Sequence, residues 1–175
     1  QRLSTLHTID LAIAGSLDLR VTLGVLLNEI TTQLGIDAAS VLLLKQQTQS
    51  LEFEAGHGFR TSALQHTYLR VGEGHAGHVA RSREITHLPD LRERNTSFLR
   101  SPHWAEEGFV SYIGIPLIAK GQVQGVLEIF QRSLLKTDVE WFNFLKTLAN
   151  QAAIAIENTS LFNSMQRANT ELILT

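Results

Sequence analysis

Apolar positions follow the period of a helix over the first 35 residues, the period of a strand through the middle of the chain, and the period of a helix again at the end. Leu3, Leu6, Asp10, Ile13 and Leu17 stand at 3-4-3-4 spacing with Ile9 beside them, which predicts a helix with one apolar stripe. Ser16 and Asp18 are competent N-caps for a second helix, in which Leu23, Leu26, Leu27, Ile30 and Leu34 repeat the pattern until Gly35 ends it. The period then changes. "AASVLLLK" and "SLEFEAG", separated by "QQTQ", predict an antiparallel hairpin in which Leu51, Phe53 and Ala55 share a face. "TYLRVG" predicts a third strand, "AGHVARSR" a short helix, and "ITHL" a brief strand. Residues 89–108 show no clean period, and a loop of that length in a compact domain is commonly functional.

A second hairpin follows in "FVSYIGIPLIAKGQVQGVLEIFQR", turned at "KGQ". Strict alternation would place Val123, Gly125, Leu127 and Ile129 on one face and Val126, Glu128 and Phe130 on the other. The last forty residues predict one long helix, capped near Thr137 with Glu140 three positions on. Its early part is apolar over a broad face through Phe142, Leu145, Leu148, Ala149, Ala152 and Ile156, as packing on a sheet requires. Its later part narrows to Ile154, Asn158, Leu161, Met165, Ala168 and Leu172 at 4-3-4-3-4, the seam of a coiled coil with one polar member.

Helices, antiparallel hairpins with a small helix inserted, and a closing helix amount to an α+β architecture with helices gathered on one face. Its 175 residues suit one domain, and the helical pattern at both ends predicts a piece of a larger chain. A formal charge of −2 without a basic stripe argues against nucleic acid as a partner. The longest apolar runs are a few residues, such as "VLLL", against the ~20 a bilayer demands, so no membrane segment or export signal is predicted and the expected location is cytoplasmic. The absence of cysteine excludes disulfides, a cysteine nucleophile, zinc–thiolate sites and thioether-linked chromophores.

The phrases "LGIDAASVLLL", "LEFEAGHGF", "VGEGHAGHVA", "EEGFVSYIGIPLIAKGQVQGVLEIF" and "DVEWFNFLKTLANQAAIAIENTSLF" resemble, in order and at the usual separations, the successive signatures of a GAF domain. The resemblance covers roughly residues 18–163, leaving 1–17 as an N-terminal signalling and dimerisation helix and 164–175 as the start of a linker helix. It implies a central six-stranded antiparallel sheet, N- and C-terminal helices on one face, and a small-molecule pocket on the other. It also implies a non-catalytic regulatory input module, homodimeric through its terminal helices, that relays a ligand signal to a downstream effector in the same chain. The tail "QRANTELILT" is similar to the segment joining a GAF domain to an HD-GYP cyclic di-GMP phosphodiesterase in bacterial signalling proteins.

The expected pocket wall comes from the inserted helix, the long loop and the sheet face away from the terminal helices. Those elements supply His75, His78, Leu88, Asp90, Phe98, Trp104, Tyr112 and Glu128, aromatics with a few polar groups. His75 and His78, three apart at a helix start, are able to reach one metal ion or haem, but two ligands do not make a site and the other histidines sit on different elements. The wall of a pocket is the better reading, and no metal is expected. Gly72, Gly74 and Gly77 permit either an anion-binding loop or a sharp turn out of a strand into a helix; without a Walker lysine the second is favoured. No nucleophile elbow or zinc-protease spacing occurs. Free methionine sulfoxide reductases, which use the resembled fold, rely on cysteines this chain lacks. The Asn-Lys-Phe-Asp-Glu signature of cyclic-nucleotide GAF domains is reduced here to Asp138 and Glu140 in "FQRSLLKTDVEWF". The sequence therefore names no cofactor, and it leaves a ligand-free dimerisation spacer as the alternative to a sensor.

Overall fold

The computed structural model describes residues 19–92 and 104–174. In chain order they form α1 (Leu19–Leu34), β1 (Ala38–Lys45), β2 (Ser50–His57), a 3-10 turn (Ala63–His66), β3 (Tyr68–Arg70), α2 (Gly74–Ser82), β4 (Thr86–Leu88), α3 (Trp104–Glu107), β5 (Ser111–Ala119), β6 (Gln122–Gln131) and α4 (Val139–Leu174). The expected helix over residues 3–17, and with it any N-terminal seam, lies outside the described residues, as does Phe98.

The six strands form one sheet in the order β3-β2-β1-β6-β5-β4, every neighbouring pair antiparallel. Two hairpins meet through β1 and β6, so the central pair comes from opposite ends of the chain. The second hairpin turns on Lys120 and Gly121, both at positive φ (51° and 76°), the backbone a two-residue hairpin loop favours because its twist matches the strands.

One face of the sheet carries α1 and α4. Leu23, Leu26, Leu27 and Ile30 of α1 and Leu145, Leu148, Ala149, Ala152 and Ile156 of α4 pack on Val41, Ile113, Ile115, Leu117, Leu127 and Ile129. Small residues on α4 let the helix lie close to the sheet while α1 supplies the bulk. The opposite face carries two smaller clusters. Ala76, Val79 and Ala80 of α2 cover Leu42, Leu51 and Val126. Leu64, Leu88 and Phe109 cover Ala38, Tyr112 and Phe130.

Strict alternation fails twice, each time at a bulge. Leu117 pairs with Gly125 and Ile118 with Val123, so Gln124 is an extra residue and Val123 turns to the α2 side, away from Leu127 and Ile129. Val41 pairs with Ala55 and Leu42 with Phe53, so Glu54 is the extra residue and Ala55 faces α1 while Leu51 and Phe53 face α2. A single unpaired residue reverses every side chain beyond it. The Gln124 bulge also aims its amide at α4, where Nε2 donates to Glu157 Oε2 at 3.0 Å, and Lys120 Nζ lies 3.7 Å from Glu157 Oε1. Beyond Glu157 the described apolar side chains of α4 are exposed, Leu161 at 44% and Met165 at 71%. The cap of α4 is Asp138, not Thr137: its Oδ1 accepts the Trp141 amide at 2.8 Å, a short carboxylate placed one residue before the helix.

Candidate functional site

Tyr112 and Glu128 meet on the sheet face opposite α1 and α4, and the reason is readable strand by strand. Gly114 is paired across β5 and β6 with Glu128, and Tyr112 stands two residues before Gly114, hence on the same face. A methyl group at Gly114 would lie 2.7 Å from the Tyr112 hydroxyl and 2.9 Å from Val79 Cγ2. The missing side chain is the space through which the phenol reaches across to the carboxylate, donating to Glu128 Oε2 at 2.5 Å. Both residues are wholly buried. His75, on the first turn of α2, sets its ring 5.7 Å from that of Tyr112.

An aromatic group continues the site. Phe130 contacts Tyr112 (5.4 Å between centroids), Phe109 (4.8 Å, stacked) and Trp104 (5.8 Å), and Phe59 closes edge-on against Phe109 and Phe130. Leu88 belongs to the same cluster. Of the expected wall residues, the fold therefore brings His75, Leu88, Trp104, Tyr112 and Glu128 together. His78 is exposed on α2, and Asp90 is turned into a local pair in which Arg92 donates from its backbone N–H (3.0 Å), Nε (2.9 Å) and NH2 (2.9 Å). Those bonds from Arg92, the side-chain ones foremost, hold the Asp90 carboxyl below its usual range. Among the described residues no three metal-ligating side chains converge.

The turn into α2 accounts for the glycines. Gly72 and Gly74 take φ of 93° and 65°, and a methyl at Gly77 would lie 2.6 Å from the Arg70 carbonyl oxygen. The helix begins hard against the strand it leaves, which only glycine permits.

Sequence reasoning missed the second polar centre, Glu107. Its side chain is 1% exposed and accepts from the amides of Arg60 (2.9 Å) and Thr61 (3.0 Å), the Thr61 hydroxyl (3.0 Å) and Arg132 NH2 (3.0 Å). Arg132 also donates Nε to the Glu107 carbonyl at 2.7 Å and stacks its guanidinium 4.8 Å over the Phe109 ring. Burial alone would raise the Glu107 carboxyl; the four donors outweigh it, and the group sits below its usual range. A signal existed in "FQR" and "EEGF", charges flanking aromatics, but nothing in their spacing shows that residues 25 apart meet.

Two clefts framed by described residues lie elsewhere. One, of about 590 Å³, runs between α1 and the end of β2 past Arg20, Gly24, Glu54 and Phe59; the other, of about 610 Å³, separates the end of α1 from the start of α4 beside Leu34, Asp138 and Trp141. Neither is lined by any of the eight expected residues.

Comparison with known proteins agrees with this fold. The family model of the GAF domain matches residues 18–156. The Escherichia coli protein named "Phosphoenolpyruvate-dependent phosphotransferase system" is 30% identical over 159 residues, 91% of this chain and 21% of its own length. The Nif-specific regulatory protein of Azospirillum lipoferum is 29% identical over 129 residues, 73% of this chain and 20% of its own. The chain thus spans about a fifth of the curated relatives it matches. The solved GAF domain of a phosphoenolpyruvate-protein phosphotransferase from Coxiella burnetii shares the fold with a TM-score of 0.75 at 24% identity, over 93% of this chain and 96% of that one. With the sheet order, the paired terminal helices and the five signatures in sequence, these likenesses lead to one conclusion: the chain belongs to the GAF domain family, regulatory modules of multidomain signalling proteins.

Proposed function

We propose that this domain is a sensor that binds a small molecule over the Tyr112–Glu128 face and relays its presence through α4 to an effector in the same chain. The observation that carries the reading is the wholly buried phenol–carboxylate bond. A carboxylate in a core costs several kcal/mol unless it is hydrogen-bonded, and a sheet face needed only for packing is served better by Leu or Val. Beside it stand a half-buried imidazole and a group of aromatics, the mixture small-molecule sites use to bury a ligand and orient it. The wall in this reading is His75, Leu88, Trp104, Tyr112 and Glu128. The domain itself is regulatory and not catalytic, and acts in the cytoplasm. A cyclic di-GMP phosphodiesterase as effector rests on the tail resemblance alone.

Native mass spectrometry of the freshly purified chain, with an absorption spectrum and metal analysis, tests the reading. A co-purifying mass is expected, and it should be lost in Tyr112→Phe and Glu128→Gln variants that keep their circular dichroism. A bare chain whose melting temperature no member of a metabolite library moves would sink it.

A second reading, a dimerising spacer, is favoured by the exposed seam of α4: Ile154 is 50% exposed, and Leu161 and Met165 continue its spacing with Asn158 between them. A parallel pair of such helices would bury that stripe. Sedimentation of the wild-type chain and of Leu161→Lys decides it: a dimer that the substitution dissociates supports the spacer, and a wild-type monomer at high concentration refutes it.

A further inference from the structure

The stretch between β4 and β5 leaves and rejoins the sheet at two joints, and both joints end on residues 131–135, which lead from β6 to α4. At the first, the buried Ser111 hydroxyl lies 2.6 Å from the Pro89 carbonyl oxygen and 3.1 Å from that of Ser133, and accepts the Leu135 amide at 3.2 Å. Beside it, Val110 N–H donates to the Gln131 carbonyl at 2.7 Å, and Leu91 N–H to the Val110 carbonyl at 2.6 Å. At the second joint, Arg132 holds Glu107 by side chain and backbone, donates NH2 to the Gly58 carbonyl at 3.1 Å, and offers its own amide to Asp37 Oδ2 at 2.7 Å. The edge strand β4 spans both layers. Leu88 packs in the Tyr112 cluster while its neighbour His87 sets its ring 5.8 Å from Phe142 of α4.

We propose that Ser111 and the Glu107–Arg132 pair are positioning residues that couple the placement of the aromatic wall to the direction in which α4 leaves the sheet. The strands β2, β1, β6 and β5 are tied to one another by long ladders, whereas the edge strand β4 is held by three paired residues. Residues 132–138 have no ladder, and the side-chain bonds above, with Leu135 packed on the main core, set their path. Those bonds run to the elements that carry Leu88, Trp104 and Phe59. A displacement of that wall moves Pro89, Glu107 or Gly58, and through Ser111 or Arg132 it moves the start of α4. Packed interfaces switch between discrete arrangements and do not yield continuously, so a small displacement at the wall is enough. The biological use of the joint rests on the sensor reading; its mechanical existence does not.

Hydrogen–deuterium exchange on the full chain tests it without a ligand. Glu107→Gln and Ser111→Ala are compared with Leu51→Val, which loosens the packing between α2 and the β1–β2 hairpin and belongs to a cluster that holds neither joint. In each variant the loss of protection in residues 139–145 is divided by the loss in β1. A ratio at least tenfold above that of Leu51→Val is expected for both joint variants, whereas general loosening gives equal ratios. Equal ratios in all three, or extra exchange confined to residues 58–61 and 104–110, would overturn the coupling. Should Glu107→Gln fail to fold, Ser111→Ala alone decides. A bare chain that no member of the metabolite library stabilises would refute the sensor and leave this result standing, and equal exchange ratios would refute the joint and leave the sensor standing.

Discussion

Replacing Glu107 by glutamine keeps the shape of a buried side chain and changes what it offers its neighbours. The carboxylate receives two donors on each oxygen: Arg60 N–H and Arg132 NH2 on Oε1, Thr61 N–H and the Thr61 hydroxyl on Oε2. An amide has one oxygen, so in either orientation two of the four donors face an NH2 group and lose their acceptor. With each lost bond to a charged group worth about 1.5–3 kcal/mol, partly recovered by relaxation, a loss of about 2–4 kcal/mol follows. Urea denaturation at pH 7 of wild type and Glu107→Gln measures it directly. The pH dependence supplies a second check. The folded carboxyl lies below its ordinary value, so its contribution is complete above about 4.5 and is lost as pH falls through the folded value. The difference between the two proteins should hold from neutrality to about pH 5 and narrow only in more acid solution. A difference under about 0.5 kcal/mol at pH 7, or one that narrows already near pH 6, would refute the network as drawn.

Tyr112→Phe and Glu128→Gln should each cost about 1–3 kcal/mol, and the double variant about 1 kcal/mol less than their sum, in a denaturation cycle; strict additivity would mean the two do not interact. Gly58 has φ of 91° and a methyl there would lie 2.0 Å from the Asp37 carbonyl oxygen, so Gly58→Ala should lower stability by at least roughly 2 kcal/mol, and an unchanged melting temperature would contradict that turn. Burial lowers the His87 pKa, and its Nε2 is enclosed without a hydrogen bond. The neutral ring is the one the fold accepts, so its contribution is complete above about pH 6.5 and declines as pH falls toward the depressed folded value. His87→Leu should flatten that limb of the stability profile, and an identical slope in both proteins would count against it.

Periodicity made most of the architecture legible because most elements bury one face against one neighbour. Leu23, Leu26, Leu27 and Ile30 mark α1, and Leu145, Leu148 and Ala152 mark the packed half of α4, as their spacing predicts. Alternation broke at Glu54 and Gln124 because a bulge is a backbone event with no mark in a binary pattern. The candidate site was legible in part. His75, Tyr112, Glu128, Trp104 and Leu88 come from the inserted helix, the long loop and the sheet face away from the terminal helices, and the fold brings them together. Glu107 and Arg132 were not legible, since their bond joins the end of the short helix α3 to the residue after β6 and depends on how the chain closes. Asp90 and His78 are polar residues of the expected wall whose side chains the fold turns to Arg92 and to solvent, an orientation that position in the sequence does not reveal.

The single helix α4 runs from Val139 to Leu174 without a glycine or proline. At about 1.5 Å per residue it is about 54 Å long, and it is bolted to the sheet at its middle by Gln124 and Lys120 through Glu157. Such a rod transmits angle as well as position. Anything fused beyond it is held at a fixed azimuth about the helix axis, and each residue inserted or deleted turns the fusion by about 100°. Seven residues restore the phase to within about 20°. Chimaeras that graft this domain onto a reporter should therefore work in steps of one heptad and fall silent between them.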